Sequence, residues 1–327
     1  MRLPQLLLES QFFQFETLPE LLKAVEEVVS ESEIQLANAL AAKGLPPITS
    51  RTMLAAMIGI SPGLVWSFTA RPQRHYRSFD IPKGQVTRRI DAPRVALKVV
   101  QKWISCALAR CYQAPAHVYG FVPGVSHVNA AAVHCGARWV FSVDIRNFFP
   151  STHIGVVVNA LKGMGFDDLG AALVAQIGCL RDGLAQGSPS SPVLSNICFS
   201  EMDAELARLA AEFGAKLTRY ADDIVFSGCD DFPEELRGRV LGLFLNSPWR
   251  LAEQKTHLAV LPQRLKVHGL LVHGAAVRLT KGYRNRIRAY EHLLKQGKIR
   301  PESLLEVKGH VAYGEFVGRV AGAVPQP

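Results

Sequence analysis

The stretch RYADDIVFSG, Arg219 to Gly228, sets two adjacent carboxylates, Asp222 and Asp223, inside an otherwise apolar run. Its arms, Leu217 to Tyr220 and Ile224 to Ser227, are rich in β-prone residues, so the run predicts a hairpin turning at Ala-Asp-Asp. Like charges side by side repel. In a half-buried setting they stay ionised only if hydrogen bonds or a cation compensate them. Turn chemistry is one explanation, because Asp side chains bond their own backbone and tolerate tight dihedrals. A divalent cation is the other: Mg²⁺ takes oxygen ligands and is typically held by one or two protein carboxylates plus substrate phosphates.

A third acid lies upstream. The run RWVFSVDIRNFFP, Arg138 to Pro150, begins as a near-continuous apolar strand and meets Asp144 where that strand should end. Two ions ~3.5 to 4 Å apart can activate an attacking oxygen while stabilising the departing one, as in polymerases and nucleases. Such a pair needs a bridging carboxylate from a separate strand, and Asp144 is the candidate.

Working outward, Leu18 to about Lys43 has helical periodicity with Gly44 as a stop, and Ser50 to Ile60 predicts another short helix. Tyr76 to Pro93 reads as a basic hairpin carrying Lys83, Arg88 and Arg89, after which Pro93 opens a helix. A Gly/Ser/Pro loop from Gly183 to Pro192 feeds a long helix, whose start Ser188, Ser190 and Ser191 are expected to cap. Arg264 to His273 predicts a strand pair, TKGYRNRIRAYEHLLKQG a basic helix, and the tail beyond Gly297 further helix. No internal repeat or low-complexity linker interrupts the chain.

The 327 residues are 48% hydrophobic and 20% charged, a globular composition. A formal net charge of +9 points toward a polyanionic partner, since clustered Lys and Arg release counterions from phosphate backbones. Six cysteines with no CxxC pair suggest buried thiols in a reducing cytoplasm rather than a zinc ribbon or disulfide framework. The leucine run at the N-terminus is cut by Glu9 and does not read as a secretion signal. No apolar stretch approaches the ~20 residues needed to span a bilayer, so no membrane partner is expected. His117, His127, His134 and His153 show no ligand spacing and are read as structural or RNA-facing.

The tetrapeptide Tyr220-Ala221-Asp222-Asp223 between apolar strands resembles the active-site hairpin of reverse transcriptases. It stands in the order that family uses with IPKG, Arg88-x-Ile90-x-x-Pro93, DIRNFFP (Asp144 to Pro150), AQGSPSSPVLSN (Ala185 to Asn196), QKT (Gln254 to Thr256) and VHGL (Val267 to Leu270). The resemblance is to bacterial retron-type enzymes and covers roughly Tyr76 to Arg288. It implies an α+β, right-hand polymerase: a helical N-terminal extension (1–75), fingers and palm with an antiparallel sheet (76–270), and a helical thumb (271–327).

What the resemblance implies for residues is specific. Asp144, Asp222 and Asp223 are the catalytic carboxylates and, with Ile145, the ligands of two Mg²⁺ ions. Phe149 packs under the incoming sugar and excludes a 2′-hydroxyl, whereas Phe148 belongs to the core, since successive strand residues face opposite ways. Arg88 contacts the triphosphate of the dNTP, where a guanidinium fork suits phosphate. Gln186 and Gly187 lie along nucleotide and template, glycine letting the backbone come close. Lys255 protonates the leaving pyrophosphate. Lys83 and Tyr220 contact nucleic acid, and Lys281, Arg284, Arg286 and Arg288 grip the duplex backbone.

This chain departs from the family pattern at NAAAVH (Asn129 to His134), at Ala185, at Ala252, and at His268, where threonine is usual. Those departures bear on which RNA is recognised. The expected product is single-stranded DNA copied from a structured noncoding RNA, primed from an RNA 2′-hydroxyl to give a branched RNA–DNA hybrid. No maturase, endonuclease or RNase H segment is expected, and a separate effector protein acting in phage defence is. An RNA-binding scaffold, or a related reverse transcriptase with another priming mode, are the alternatives.

Overall fold

The computed structural model describes residues 4–84 and 86–323, and the side chains of Lys83, Val86 and Ala323 lie outside the described residues. Ten strands are seen among them: β1 (Tyr76–Lys83), β2 (Val86–Pro93), β3 (Trp139–Asp144), β4 (Cys179–Leu180), β5 (Gly183–Leu184), β6 (Lys216–Tyr220), β7 (Asp223–Gly228), β8 (His257–Val260), β9 (Lys266–Val267) and β10 (Leu270–Leu271). Helices supply most of the rest, so the fold is mixed α+β. No single described helix is long and apolar enough to cross a membrane.

The chain divides into two compact units, one of residues 1–114 and 147–201, the other of 115–146 and 202–327. In the first, the periodic run from Leu18 to Lys43 is two helices rather than one. Thr17 and Glu20 form a reciprocal cap on Leu18–Val25, and the Ser30 hydroxyl accepts from Glu33 N to start Glu31–Ala42 anew. A capping serine inside a periodic run restarts the helix without disturbing the spacing of apolar residues. Gly44, φ +74°, follows as the stop.

The basic hairpin is present, β1 pairing with β2 from Tyr76↔Pro93 to Lys83↔Val86. Pro93 does not open the next helix. It ends β2, and the helix Val95–Cys111 begins after Arg94, whose N–H is already taken by His75 O at 2.7 Å. The long helix after the Gly/Ser/Pro loop is also split, into Ser191–Cys198 and Ser200–Glu212, around the fully buried Phe199. Nor do the loop serines cap it. Ser188 Oγ accepts from Ser190 N at 3.2 Å and Ser191 Oγ donates to Ala185 O at 2.7 Å, so these hydroxyls are spent on the loop's own backbone.

In the second unit an antiparallel sheet runs in the order β6-β7-β3-β8. Its central strand β3 is buried along nearly its whole length, as the apolar run demands. Alternation gives the sheet two faces. Phe141 and Phe226 stack on one, their centroids 6.4 Å apart. Val140, Val225 and Ala259 lie on the other, in a cluster with Leu265, Val267, Leu270 and Val317. Asp144 and Asp223 share that second face, at the end of the strands beyond the apolar cluster. The strand pair β9–β10 and the basic helix Lys281–Lys295 are both found where the sequence puts them.

Candidate active site

Backbone register sets the centre of the site. Asp144 is the direct cross-strand partner of Asp223, the two last residues of the β3–β7 ladder. Ile145 N donates to Asp222 O at 2.9 Å, so the hairpin bearing both acids is bonded to the chain just past Asp144. Ile145 is itself fully buried. Asp144 is buried to 7% exposure, and its carboxyl is held above the ordinary range first by burial and then by the neighbouring charges of Asp222 and Asp223. Lys255 opposes that rise, its Nζ lying 2.5 Å from Asp144 Oδ2. Lys255 is thereby put on the carboxylate of β3. Asp223, half exposed, has His268 Nδ1 at 3.4 Å. Among the described residues no group of three His, Cys, Asp or Glu side chains is drawn together closely enough to enclose a metal ion, the acids being met by Lys255 and His268 instead.

The turn itself is tightly supported. Ala221 takes φ +59°, in the left-handed region, and Gly120 presses against it: a Cβ at 120 would lie 2.1 Å from Ala221 N. Arg219, fully buried, grips Asp203 through Nε at 2.7 Å and Nη2 at 2.5 Å, while its Nη1 donates to Ala221 O at 3.2 Å. This fork fixes the turn carbonyl from beneath. Neither Arg219 nor Asp203 is among the residues singled out from sequence; the available signal was a guanidinium in the interior of an apolar strand, which has to find a buried acid.

Rings surround the hairpin. Tyr220 lies 5.4 Å from His268 and 6.0 Å from His127, which stacks on Tyr313 and bonds its hydroxyl at 2.9 Å. His268, in the turn between β9 and β10, adopts φ +49°, and its Nε2 is buried without a hydrogen-bond partner. His134 bridges the hairpin arms from inside, bonded to Ser227 Oγ and Thr218 Oγ1 at 2.7 Å each. Of the four histidines, His134 is structural in this direct sense.

The remaining candidates in the first unit form their own arrangement. Arg88 sits on β2 opposite Ile81. With its amide set to match donors and acceptors, Gln186 accepts from Arg88 Nε at 3.3 Å and donates to Arg89 O at 3.3 Å. Asp91 N donates to Gln186 O at 2.8 Å, and a Cβ on Gly187, φ +134°, would lie 2.8 Å from Asp91 O, so only glycine allows this approach of loop to strand. Burial would raise the Asp91 carboxyl, but hydrogen bonds from Arg181 and Ser78 and the charges of Arg181 and Arg89 carry it below the usual range. Phe149 is half-buried. It and Phe148 belong to a short helix, Phe148–Ser151, not to a strand, and Phe148 is core because it packs edge-on to Phe199 at 5.6 Å.

In the second unit, Lys281, Arg284, Arg286 and Arg288 are all exposed on one helix. Arg286 leans over the Tyr283 ring at 5.9 Å.

Residues 81–275 match the family model described as reverse transcriptase (RNA-dependent DNA polymerase). The chain is 31% identical to the retron Mx65 reverse transcriptase of Myxococcus xanthus over 278 residues, 77% of this chain and 65% of the relative. It is 28% identical to the retron Mx162 reverse transcriptase of the same organism, over 83% of this chain and 64% of the relative. The retron Ec86 reverse transcriptase of Escherichia coli is 28% identical across 68% of this chain and 71% of its own length. The chain thus spans somewhat under two thirds of the two Myxococcus relatives. Among solved structures, telomerase from Candida tropicalis aligns with a TM-score of 0.45 at 12% identity, over 81% of this chain and 57% of that one.

Proposed function

The chain belongs to the reverse transcriptase (RNA-dependent DNA polymerase) family, and from that premise we propose that it is a retron-type enzyme copying part of a structured noncoding RNA into single-stranded DNA. The observation that carries this reading is the register of Asp144 against Asp223, with Asp222 bonded through its carbonyl to the residue after Asp144. Two carboxylates on neighbouring strands and a third in the turn stand within one another's field, and burial first, then the charges of Asp222 and Asp223, raise the Asp144 carboxyl. In this reading Asp144, Asp222 and Asp223, with Ile145, would hold Mg²⁺, which takes oxygen ligands. The chemistry such ions would supply when bound is activation of the attacking hydroxyl and neutralisation of the leaving phosphate.

The chain's own groups do the positioning. Lys255 meets Asp144, and it is the group to which we assign delivery of a proton to pyrophosphate. Arg88 takes the triphosphate, with Gln186 accepting from its Nε so that the guanidinium is aimed before the nucleotide arrives. Gly187 lets the backbone lie along nucleotide and template. Phe149 selects dNTPs over NTPs by the bulk of its ring. Lys83, Tyr220 and the basic helix contact nucleic acid. In this reading 1–75 is an extension, 76–270 fingers and palm, and 271–327 thumb of a right-hand polymerase. Priming from an RNA 2′-hydroxyl, a branched product, a cytoplasmic setting and a separate effector in phage defence complete the proposal.

The test is primer extension by the full chain with its noncoding RNA, dNTPs and Mg²⁺. Asp222→Asn with Asp223→Asn abolishes DNA synthesis while RNA binding survives; synthesis persisting in the double variant would overturn the site. Mapping the 5′ end of the product to an internal RNA 2′-hydroxyl separates retron-type priming from other modes.

A further inference from the structure

Arg181 and Asp182 form the two-residue connection between β4 and β5, and both take left-handed φ, +53° and +69°. Hairpin turns of that geometry favour Asn-Gly or Gly pairs, because positive φ is needed at both positions. Here neither residue is glycine or asparagine. Backbone strain of this kind persists only where the surroundings over-determine it, and here the Arg181 side chain is held by three hydrogen bonds.

The guanidinium donates to both oxygens of Asp91, at 2.9 and 3.2 Å, and its Nη2 also lies 3.2 Å from Ser78 Oγ. Ser78 gives its own hydroxyl to Asp91 at 2.5 Å. Asp91 is 7% exposed and follows Arg88 by three residues on β2. Its main-chain N–H and C=O are the two atoms that meet Gln186 and Gly187. The same turn reaches the other way. Asp182 O accepts from Ile154 N at 3.0 Å, and Gly183 is pressed on the Pro150 carbonyl, where a Cβ would come within 2.2 Å. Pro150 is the residue after Phe149. One strained turn is therefore tied to the strand of Arg88, the loop of Gln186 and Gly187, and the helix of Phe149.

We propose that Arg181 is a positioning residue for the incoming nucleotide: its fork on Asp91 locks the three segments to which the dNTP is assigned into one preorganised surface. The inference rests on the assignment of Arg88, Gln186, Gly187 and Phe149 made under the proposed function. Arg181 does not touch the nucleotide. It acts through Asp91, so its loss loosens the surface that binds dNTP and leaves the carboxylates of β3 and β7 as they were.

The experiment is steady-state extension by the full chain with dNTP concentration varied. Arg181→Ala raises KM for dNTP roughly tenfold or more with kcat changed less than about threefold, because binding geometry rather than the chemical step is lost. Arg181→Lys keeps the charge but not the two-pronged geometry and falls between. Should Arg181→Ala fail to fold, Ser78→Ala removes one member of the same cluster and gives a smaller rise in KM. An unchanged KM in a folded Arg181→Ala, or a loss confined to kcat, overturns the proposal. Arg88→Ala, run in parallel, separates the two levels: if it leaves KM unchanged, the nucleotide assignment itself fails, and if it raises KM while Arg181→Ala does not, only the positioning role falls.

Discussion

His134 is held between the two arms of the β6–β7 hairpin with a hydroxyl on each ring nitrogen. A neutral ring donates through one nitrogen and accepts through the other, and burial, aided by the charges of His268 and Lys216, pushes its pKa down to about 3. The unfolded chain takes up that proton near pH 6.5, so stability is full above that pH and is lost as pH falls toward 3, at about 1.4 kcal/mol per unit. Urea unfolding at pH 7 and pH 5 should differ by about 2 kcal/mol more in the wild type than in His134→Gln, since the carboxylates contribute alike to both. Parallel pH dependences would remove this role. The acids of the candidate site were legible at this scale because Asp144, Asp222 and Asp223 interrupt apolar runs. Their supports were not. Arg219 with Asp203, and Arg181 with Asp91, are pairs 16 and 90 residues apart. No periodicity links such partners; only the packed chain brings them together.

Among elements, the β6–β7 hairpin followed from its sequence, two β-prone arms around a short polar turn, but Asp223 opens β7 rather than lying in the turn, and the register against β3 is set by the packed sheet. The helices were read less well. Ser30 and Phe199 break runs whose apolar spacing continues unbroken, one by offering a cap and the other by turning fully into the core. The hairpin tip depends on something sequence does not reveal, the contact with Gly120. A methyl group there would meet the backbone of Tyr220 and Ala221, which cannot give way as a flexible side chain could. Gly120→Ala should therefore cost about 1 to 3 kcal/mol in chemical denaturation and depress DNA synthesis more than template binding. Gly155→Ala, in a helix with open space around it, serves as the control and should be neutral or slightly stabilising. Equal behaviour of the two variants would show that the tip is not so constrained.

For the molecule as a whole, the surplus of basic residues points to a polyanionic partner, and Lys281, Arg284, Arg286 and Arg288 lie exposed on the helix Lys281–Lys295. Lys281, Arg284 and Arg288 recur at helical spacing, while Ile287 turns inward to a groove where Gly314 has no side chain to obstruct it. Replacing those three cations by alanine should lower the slope of log binding constant against log salt by roughly two to three, equally for unrelated template sequences; an unchanged slope would move the backbone contact elsewhere. The interleaving of the two units had no signature in the sequence, since no Gly/Ser-rich or charged linker marks Ala114 or Arg146.

Strand β3 is hydrogen-bonded on both flanks, and Asp144 owes its alignment with Asp223 to that ladder, not to a mobile loop. Sliding β7 by one residue would turn Asp223 away from Asp144 and Phe226 away from Phe141 together. The alignment of the two acids therefore lasts only as long as the sheet does: melting the second unit should end DNA synthesis even where the first keeps its structure.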